Sequence, residues 1–234
     1  MRYFNRPRPI AWFFFLAAFA TTLALGSWQV KRLQWKQGVI AEIAAAQTQS
    51  PLTRLPDDAA ALAPLNFYPV ALDGRWIDGV EFHISPRFYR GKLGYFIVTP
   101  FALADGRTLL VNRGWVPAAQ KLPDDRPESA VSGEATLHGM LRVGDERNWM
   151  TPPNNVDKNI WFGRDTLDMA NSAGLANPVP AMVDLVGTQD SARLPVPSAG
   201  TIKLRNDHLS YIVTWYGIAV SILVIFLLYH RKKA

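Results

Sequence analysis

At 234 residues the chain has room for one sizeable core. Its net charge of +6 is segregated: residues 50–200 hold 14 Lys and Arg against 17 Asp and Glu, net −3, and the remainder holds 11 against two, net +9, beside two apolar runs. A basic excess flanking apolar runs marks membrane anchoring and excludes nucleic acid as a partner, while the lack of cysteine excludes disulfides, thiol catalysis, thiolate metal sites and covalent haem attachment.

Residues 1–9 carry Arg2, Arg6 and Arg8 and read as a short cytoplasmic N-terminus. Residues 10–30 follow without a charge. As a helix they reach roughly 31 Å at about 1.5 Å per residue, the thickness of a hydrocarbon core. A cleaved signal peptide is the competing reading, because the basic start and Ala24-Leu25-Gly26 fit one. Against it, the apolar run is longer than a usual signal core, and the helical rhythm continues past Gly26.

Residues 31–64 are expected to be a helical extension and a linker. Good helix formers run to Gln47, Pro51 and Pro56 stop the helix, and residues 50–64 form a connector rich in Pro, Ala and Asp. Residues 65–205 change to strand period. Asp78-Gly79 predicts a hairpin joining residues 72–77 to 80–85, and Asp105-Gly106 one joining 94–103 to 107–115. Residues 117–133 read as a long surface loop and 135–143 as a strand. A short strand is expected at 159–162, a helix at 164–173 closed by Gly174, and further strands at 180–186 and 201–204. About eight strands with one short helix predict a membrane α+β protein whose central domain is an antiparallel barrel or sandwich.

Residues 209–229 form a second uncharged run, and the basic tail 230–234 after it reads as cytoplasmic. A buried core helix suits a terminal apolar run that closes on a basic cluster poorly. Two spans put both termini in the cytoplasm and the central domain on the other side of the lipid bilayer.

The densest chemistry lies where the spans meet that outer face. Trp28, Arg32 and Trp35 are spaced i, i+4, i+7, and His208, Tyr211 and Trp215 are spaced i, i+3, i+7, each set on one helical face. Two readings are open. One is an aromatic belt with snorkelling basic residues. The other is a haem site, with His208 ligating the iron, Trp28, Tyr211 and Trp215 walling the macrocycle and Arg32 meeting a propionate. His230 lies about 33 Å from His208 along a helix and cannot share its iron.

Elsewhere the signals are weaker. Arg113-Gly114-Trp115, at a hairpin end, reads either as edge-strand packing or as a partner contact. His83 and His138 stand in strands without metal-ligand spacing, and no hydrolase or phosphate-cradling motif is present.

Four blocks occur in order: Gly26-x-Trp28-Gln29-x-x-Arg32-x-x-Trp35-Lys36; Pro86-Arg87 and Gly94-Tyr95 ahead of Thr99-Pro100-Phe101; Val111-Asn112-Arg113-Gly114-Trp115-Val116-Pro117; and Asn206-x-His208-Leu-x-Tyr211-x-x-Thr214-Trp215-Tyr216. Together they resemble the Surfeit locus 1 family, membrane factors that assist assembly of haem-copper cytochrome oxidases, and the resemblance covers the whole chain. It implies a non-enzymatic factor that binds haem a as cargo through His208 and assists its insertion into cytochrome c oxidase subunit I, with haem a synthase as a further candidate partner. A haem-independent interaction protein that stabilises oxidase subunits is the alternative. One chain offers a single well-placed histidine, so a second axial ligand would come from elsewhere, for instance from a homo-oligomer. The short stretch before Ile10 is expected of a bacterial member in the inner membrane, with a periplasmic central domain.

Overall fold

The computed structural model describes residues 8–144, 147–190, 192–200 and 206–231. In chain order the elements are α1 (Pro9–Gln47), α2 (Ala59–Leu62), β1 (Pro69–Trp76), β2 (Phe82–Tyr89), β3 (Lys92–Leu103), β4 (Thr108–Pro117), β5 (Glu134–Val143), α3 (Thr166–Ser172), β6 (Pro178–Leu185) and α4 (His208–His230). They divide into two compact units, Met1–Glu42 with Lys203–Ala234, and Ile43–Ile202.

The first unit is a helix pair. α1 has 39 residues and α4 has 23, so they reach about 58 and 35 Å. Only 11% of the apolar stretch of α1 and 6% of that of α4 is buried within the protein. A core helix would bury most of that surface, so the outward apolar faces suit a membrane environment. α1 also runs unbroken past Gly26, as the helical rhythm predicts.

A shielded stripe passes through Phe15, Phe19, Thr22, Gly26, Gln29, Leu33 and Lys36 of α1, and another through His208, Ile212, Trp215, Ala219, Ile222 and Phe226 of α4. Both step alternately by four and three, the 3.5-residue period that keeps two helices in contact through a left-handed seam. Partner numbers run in opposite directions. Phe15 stacks on Phe226 at 4.0 Å between ring centroids, and Ser27 Oγ lies 3.2 Å from Tyr216 Oη, so the helices are antiparallel.

The second unit is a six-stranded sheet in the order β1-β5-β6-β4-β3-β2, closed by an additional β1–β3 pairing. Five strands therefore make a closed barrel, and β2 hangs on the N-terminal half of the long β3. Closure satisfies the backbone groups that an open edge would leave unpaired. The barrel interior holds Leu72, Trp76, Phe101, Leu109, Val111, Leu141 and Val183. A second cluster, with Ile84, Val98, Leu110, Trp161, Met169 and Met182, covers the other face of β3, β4 and β6. Covered on both faces, β4 is buried at nine consecutive positions, Thr108 to Val116, instead of at alternate ones.

Several sequence expectations need correction. The barrel is mixed and not wholly antiparallel, because β4 and β6 run parallel; α3 lies in the connection that leads back to β6. Six strands form among the described residues, not eight: residues 159–162 make only isolated bridges at Ile160 and Trp161, and the strand expected at 201–204 lies outside the described residues. Asp105-Gly106 does turn β3 into β4. Asp78-Gly79 does not make a hairpin, since β1 pairs with β5 and β3 and leaves β2 to β3. The second hairpin turns instead at Arg90-Gly91, both at positive φ (48° and 78°), with Tyr89 opposite Lys92. The connector 50–64 contributes the fully buried Leu55 and Leu62 to the core.

The surface loop expected at 117–133 is anchored from within. Arg126 is 1% exposed. Its guanidinium donates to Ser129 Oγ (2.7 Å), to the carbonyls of Gln120 and Lys121 and, in the closest contact, to the Glu81 carboxylate. Glu81 also accepts from His83 Nε2 at 2.9 Å. Burial opposes ionisation of Glu81, but the hydrogen bond from His83 and the charge and hydrogen bond of Arg126 outweigh it, and the carboxyl titrates below its ordinary 4.5. Arg113 lies in the field of the same carboxylate. Burial, with repulsion from Arg126, overcomes the pull of Glu81 and pushes its pKa down to about 10.

A carboxyl whose pKa is depressed by folding stabilises the native state fully above its unfolded value and loses that contribution as pH falls through its folded value. Glu81→Gln, which removes the only carboxylate touching the buried Arg126 among the described residues, is expected to cost up to about 3–5 kcal/mol at pH 7. The gap to the unsubstituted protein narrows as pH falls below 4.5. Thermal melts of the full chain in detergent across that range measure both effects.

Candidate functional site

Where α4 places Tyr216 against it, α1 presents Gly26. A β-carbon built there would lie 3.0 Å from the Tyr216 ring, and Ala219 of the facing helix is 2% exposed. Small residues permit this spacing, and the spacing sets the polar contact one turn further along. There His208, the first residue of α4, has Nδ1 2.6 Å from Oε1 of Gln29, itself only 8% exposed.

A side-chain amide oxygen only accepts, so Nδ1 carries the hydrogen and donates it. In a neutral imidazole the lone pair then resides on Nε2. A histidine fixed in this tautomer by a partner on its far nitrogen is the usual arrangement of a metal ligand. Gln29 is the candidate site residue that sequence reasoning did not single out. It stands in the first motif block, but in an uncharged run its only signal is being a large amide inside an apolar helix.

The other residues singled out from sequence divide by register. Trp28, Arg32 and Trp35 each fall one position before the seam residues Gln29, Leu33 and Lys36, and Tyr211 falls one before Ile212. In an antiparallel pair, residues with the same offset from the seam share a flank. The contact between Ser27 and Tyr216, each one position after a seam residue, marks the opposite flank. Trp28, Trp35 and Tyr211 are 55%, 54% and 53% exposed, so three aromatic faces lie open on one flank at the His208 end. The Arg32 guanidinium sits 3.9 Å over the Trp35 ring, which fixes its plane and leaves its N–H edge free to meet an anion. Trp215 differs: it lies in the seam, half-buried, as part of the helix packing. His230 closes α4 at the far end, its Nδ1 2.8 Å from the carbonyl of Phe226.

The two motif blocks of the barrel converge on a separate patch. Register sets Arg87 opposite Gly94 and Gly94 opposite Pro117. The Trp115 indole donates to the carbonyl of Arg87 at 3.1 Å. A β-carbon on Gly94 would come within 2.6 Å of that indole, so glycine is what lets the ring lie across the strand. Arg113 and Trp115 are 8% and 5% exposed on the central strand β4. The edge-strand reading of this segment is therefore wrong: β4 lies between β6 and β3 in the barrel, and both side chains are buried. His83 is buried on Glu81, His138 is exposed, and nothing joins them.

Comparison with known proteins matches residues 16–220 to the profile described as the SURF1 family. Surfeit locus protein 1 of Takifugu rubripes is 35% identical over 228 residues, covering 91% of this chain and 93% of its own. The chain belongs to the SURF1 family. The SURF1-like protein of Drosophila melanogaster is 36% identical over 91% of this chain and 75% of its own, and Surfeit locus protein 1 of Homo sapiens is 35% identical over 86% and 71%. The SURF1 match takes in both ends of the Gln29–His208 contact and both barrel blocks.

Because Gly26 has no room to grow toward Tyr216, Gly26→Val is expected to destabilise the helix pair by about 1–3 kcal/mol through overpacking. Gly38→Val, at a position with nothing within 4 Å of the added carbon, is expected to cost no more than an ordinary helix substitution. Thermal melts of the two variants in one detergent make the comparison.

Proposed function

We propose that this SURF1 family member is a non-catalytic, membrane-anchored assembly factor for haem-copper cytochrome c oxidase that carries haem a at the His208 end of its helix pair and assists its insertion into subunit I. The observation that carries the reading is the hydrogen bond from His208 Nδ1 to Gln29, which leaves Nε2 as the nitrogen able to ligate iron. Trp28 and Tyr211 would flank the macrocycle with apolar surface, Trp215 would support the wall from the seam, and Arg32, held by Trp35, would meet a propionate. The chain's own work is to hold the imidazole in one tautomer and to keep two helices close enough that one orients the other's ligand. Subunit I, and haem a synthase as the source of the cargo, are the partners this role requires.

In this reading both termini are cytoplasmic and the barrel domain lies on the opposite side of the membrane, supported by the basic residues 231–233 that follow the second apolar run. A reporter active only outside the cytoplasm, fused to the C-terminus, is expected to be inactive; full activity would reverse the orientation.

For the cargo, the full chain is purified after co-expression with haem a biosynthesis and its haem content and absorption spectrum are recorded. His208→Ala is expected to lose most of the haem. Gln29→Ala, which leaves the ligand in place but frees its ring, is expected to weaken haem retention by about 10–100-fold. Unchanged haem recovery and spectrum in His208→Ala would remove the ligand assignment and favour a haem-independent factor that stabilises oxidase subunits by contact alone.

A further inference from the structure

The barrel holds a charge that its own residues do not balance. In the cluster at its end, Arg126 and Arg113 are both buried, 1% and 8% exposed, and among the described residues the part-buried Glu81 is the one carboxylate acting on both. Glu81 is already occupied by Arg126 and His83. Arg113 donates through Nη2 to the carbonyl of Ser129 and lies 5.9 Å from the Trp76 ring, neither of which is an anion. Burying a cation without a counter-charge is costly, so the arrangement calls for an anion from outside.

The backbone is shaped to present that cation. Ile97 pairs with Gly114 and Val98 with Asn112, so Arg113 is the extra residue of a β-bulge, a device that re-aims a side chain out of the ordinary alternation. It lines a cleft of about 350 Å³ whose walls include Ile77, Val80, Pro123 and Val131. Thr99 also lines the cleft. It is 5% exposed, and its buried hydroxyl has no hydrogen-bond partner among the described residues. Two residues before Phe101 on β3, Thr99 points to the barrel-interior face, so the cleft is a mouth of the barrel. The remaining acid at the cleft, Asp78, is solvent-exposed at its rim, where water screens it.

We infer that this cleft is a binding site for a small organic carboxylate with an apolar body, its carboxylate held by the Arg113 guanidinium and the Thr99 hydroxyl and its body against the aliphatic walls. A guanidinium fork beside a hydroxyl donor matches two carboxylate oxygens. The volume admits a ligand of about ten heavy atoms, at the small end of ligand pockets. The site lies wholly within the barrel unit and owes nothing to the haem reading of the helix pair.

The test uses the full chain in detergent, with benzoate as the probe, benzamide as its neutral counterpart and inorganic phosphate as an anion without an apolar body. Binding is read by calorimetry and by the shift in melting temperature at constant ionic strength. Benzoate is expected to bind saturably and raise the melting temperature, with benzamide and phosphate each at least 10-fold weaker. Arg113→Gln is expected to abolish benzoate binding. Because that variant also loses the bond to Ser129 and can fail to fold, Thr99→Val is the second arm: nearly isosteric and losing no internal hydrogen bond, it is expected to fold normally and bind benzoate about 5–10-fold more weakly. No saturable binding of benzoate, equal binding of phosphate or benzamide, or full affinity in Thr99→Val would each overturn the assignment. Haem retention measured on Thr99→Val is expected to be unchanged, which separates failure of this inference from failure of the helix-pair reading.

Discussion

The close approach of two apolar helices at a glycine is the constraint on which the functional end of this protein depends. A hydrogen bond of 2.6 Å between side chains on different helices tolerates little variation in helix spacing. That spacing is set one turn away, where Gly26 admits the Tyr216 ring and Ala219 fills the next seam position. Between apolar helices in lipid there is no water to expel, so packing of small residues and interhelical hydrogen bonds must supply the attraction. The two contacts thus do related work: Gly26 makes the pair tight, and Gln29 makes the tight pair hold one imidazole in one state.

The seam also explains why aromatic residues of similar appearance have different parts. Trp215 lies on the 3.5-residue stripe and is consumed by packing, whereas Trp28, Trp35 and Tyr211, each one position off the stripe, keep a face open on one flank. An aromatic belt would be indifferent to this distinction, since headgroup anchoring asks only for depth and not for a shared side. The alignment of exposed rings on one flank, at the level of a tautomer-fixed histidine, is what the haem reading uses and the belt reading leaves unexplained.

Much of this was legible in the sequence, and the limits have physical causes. The spans are readable because transfer to lipid depends on composition and length alone. Asp105-Gly106 is readable because a glycine, here at φ 84°, directly after an aspartate is a strong local turn signal. Arg90-Gly91 turns a hairpin equally well, but an arginine at positive φ is favoured by nothing local and is held there by the pairing of β2 with β3. The seam was hidden because Phe15, Phe19 and Ile222 look the same whether they face lipid or a partner helix. Residues 117–133 looked like a solvated loop because Pro, Asp, Glu and Ser are surface types, and nothing in sequence marks Arg126 as a buried anchor until Glu81 is placed beside it. Arg113 was misread for a related reason: a segment near a hairpin end suggests an edge strand, and nothing local shows that β6 arrives from far along the chain to pair on the other side of β4.

The two polar centres of the chain follow one rule with opposite outcomes. A polar group withdrawn from water must be matched, and how far it is matched tells what it is for. At Arg126 the matching is complete: two carbonyls, a hydroxyl and a carboxylate surround one guanidinium, and the result is a fixed loop. At His208 one nitrogen is matched by Gln29, and that bond leaves the other nitrogen as the one with a lone pair to offer. Arg113 lies between these cases, fixed at one nitrogen by a carbonyl that cannot neutralise it and aimed by a bulge into a cleft beside an unmatched hydroxyl. A buried charge and an unmatched hydroxyl that line the same cleft are an arrangement that one ligand from outside would complete at a stroke.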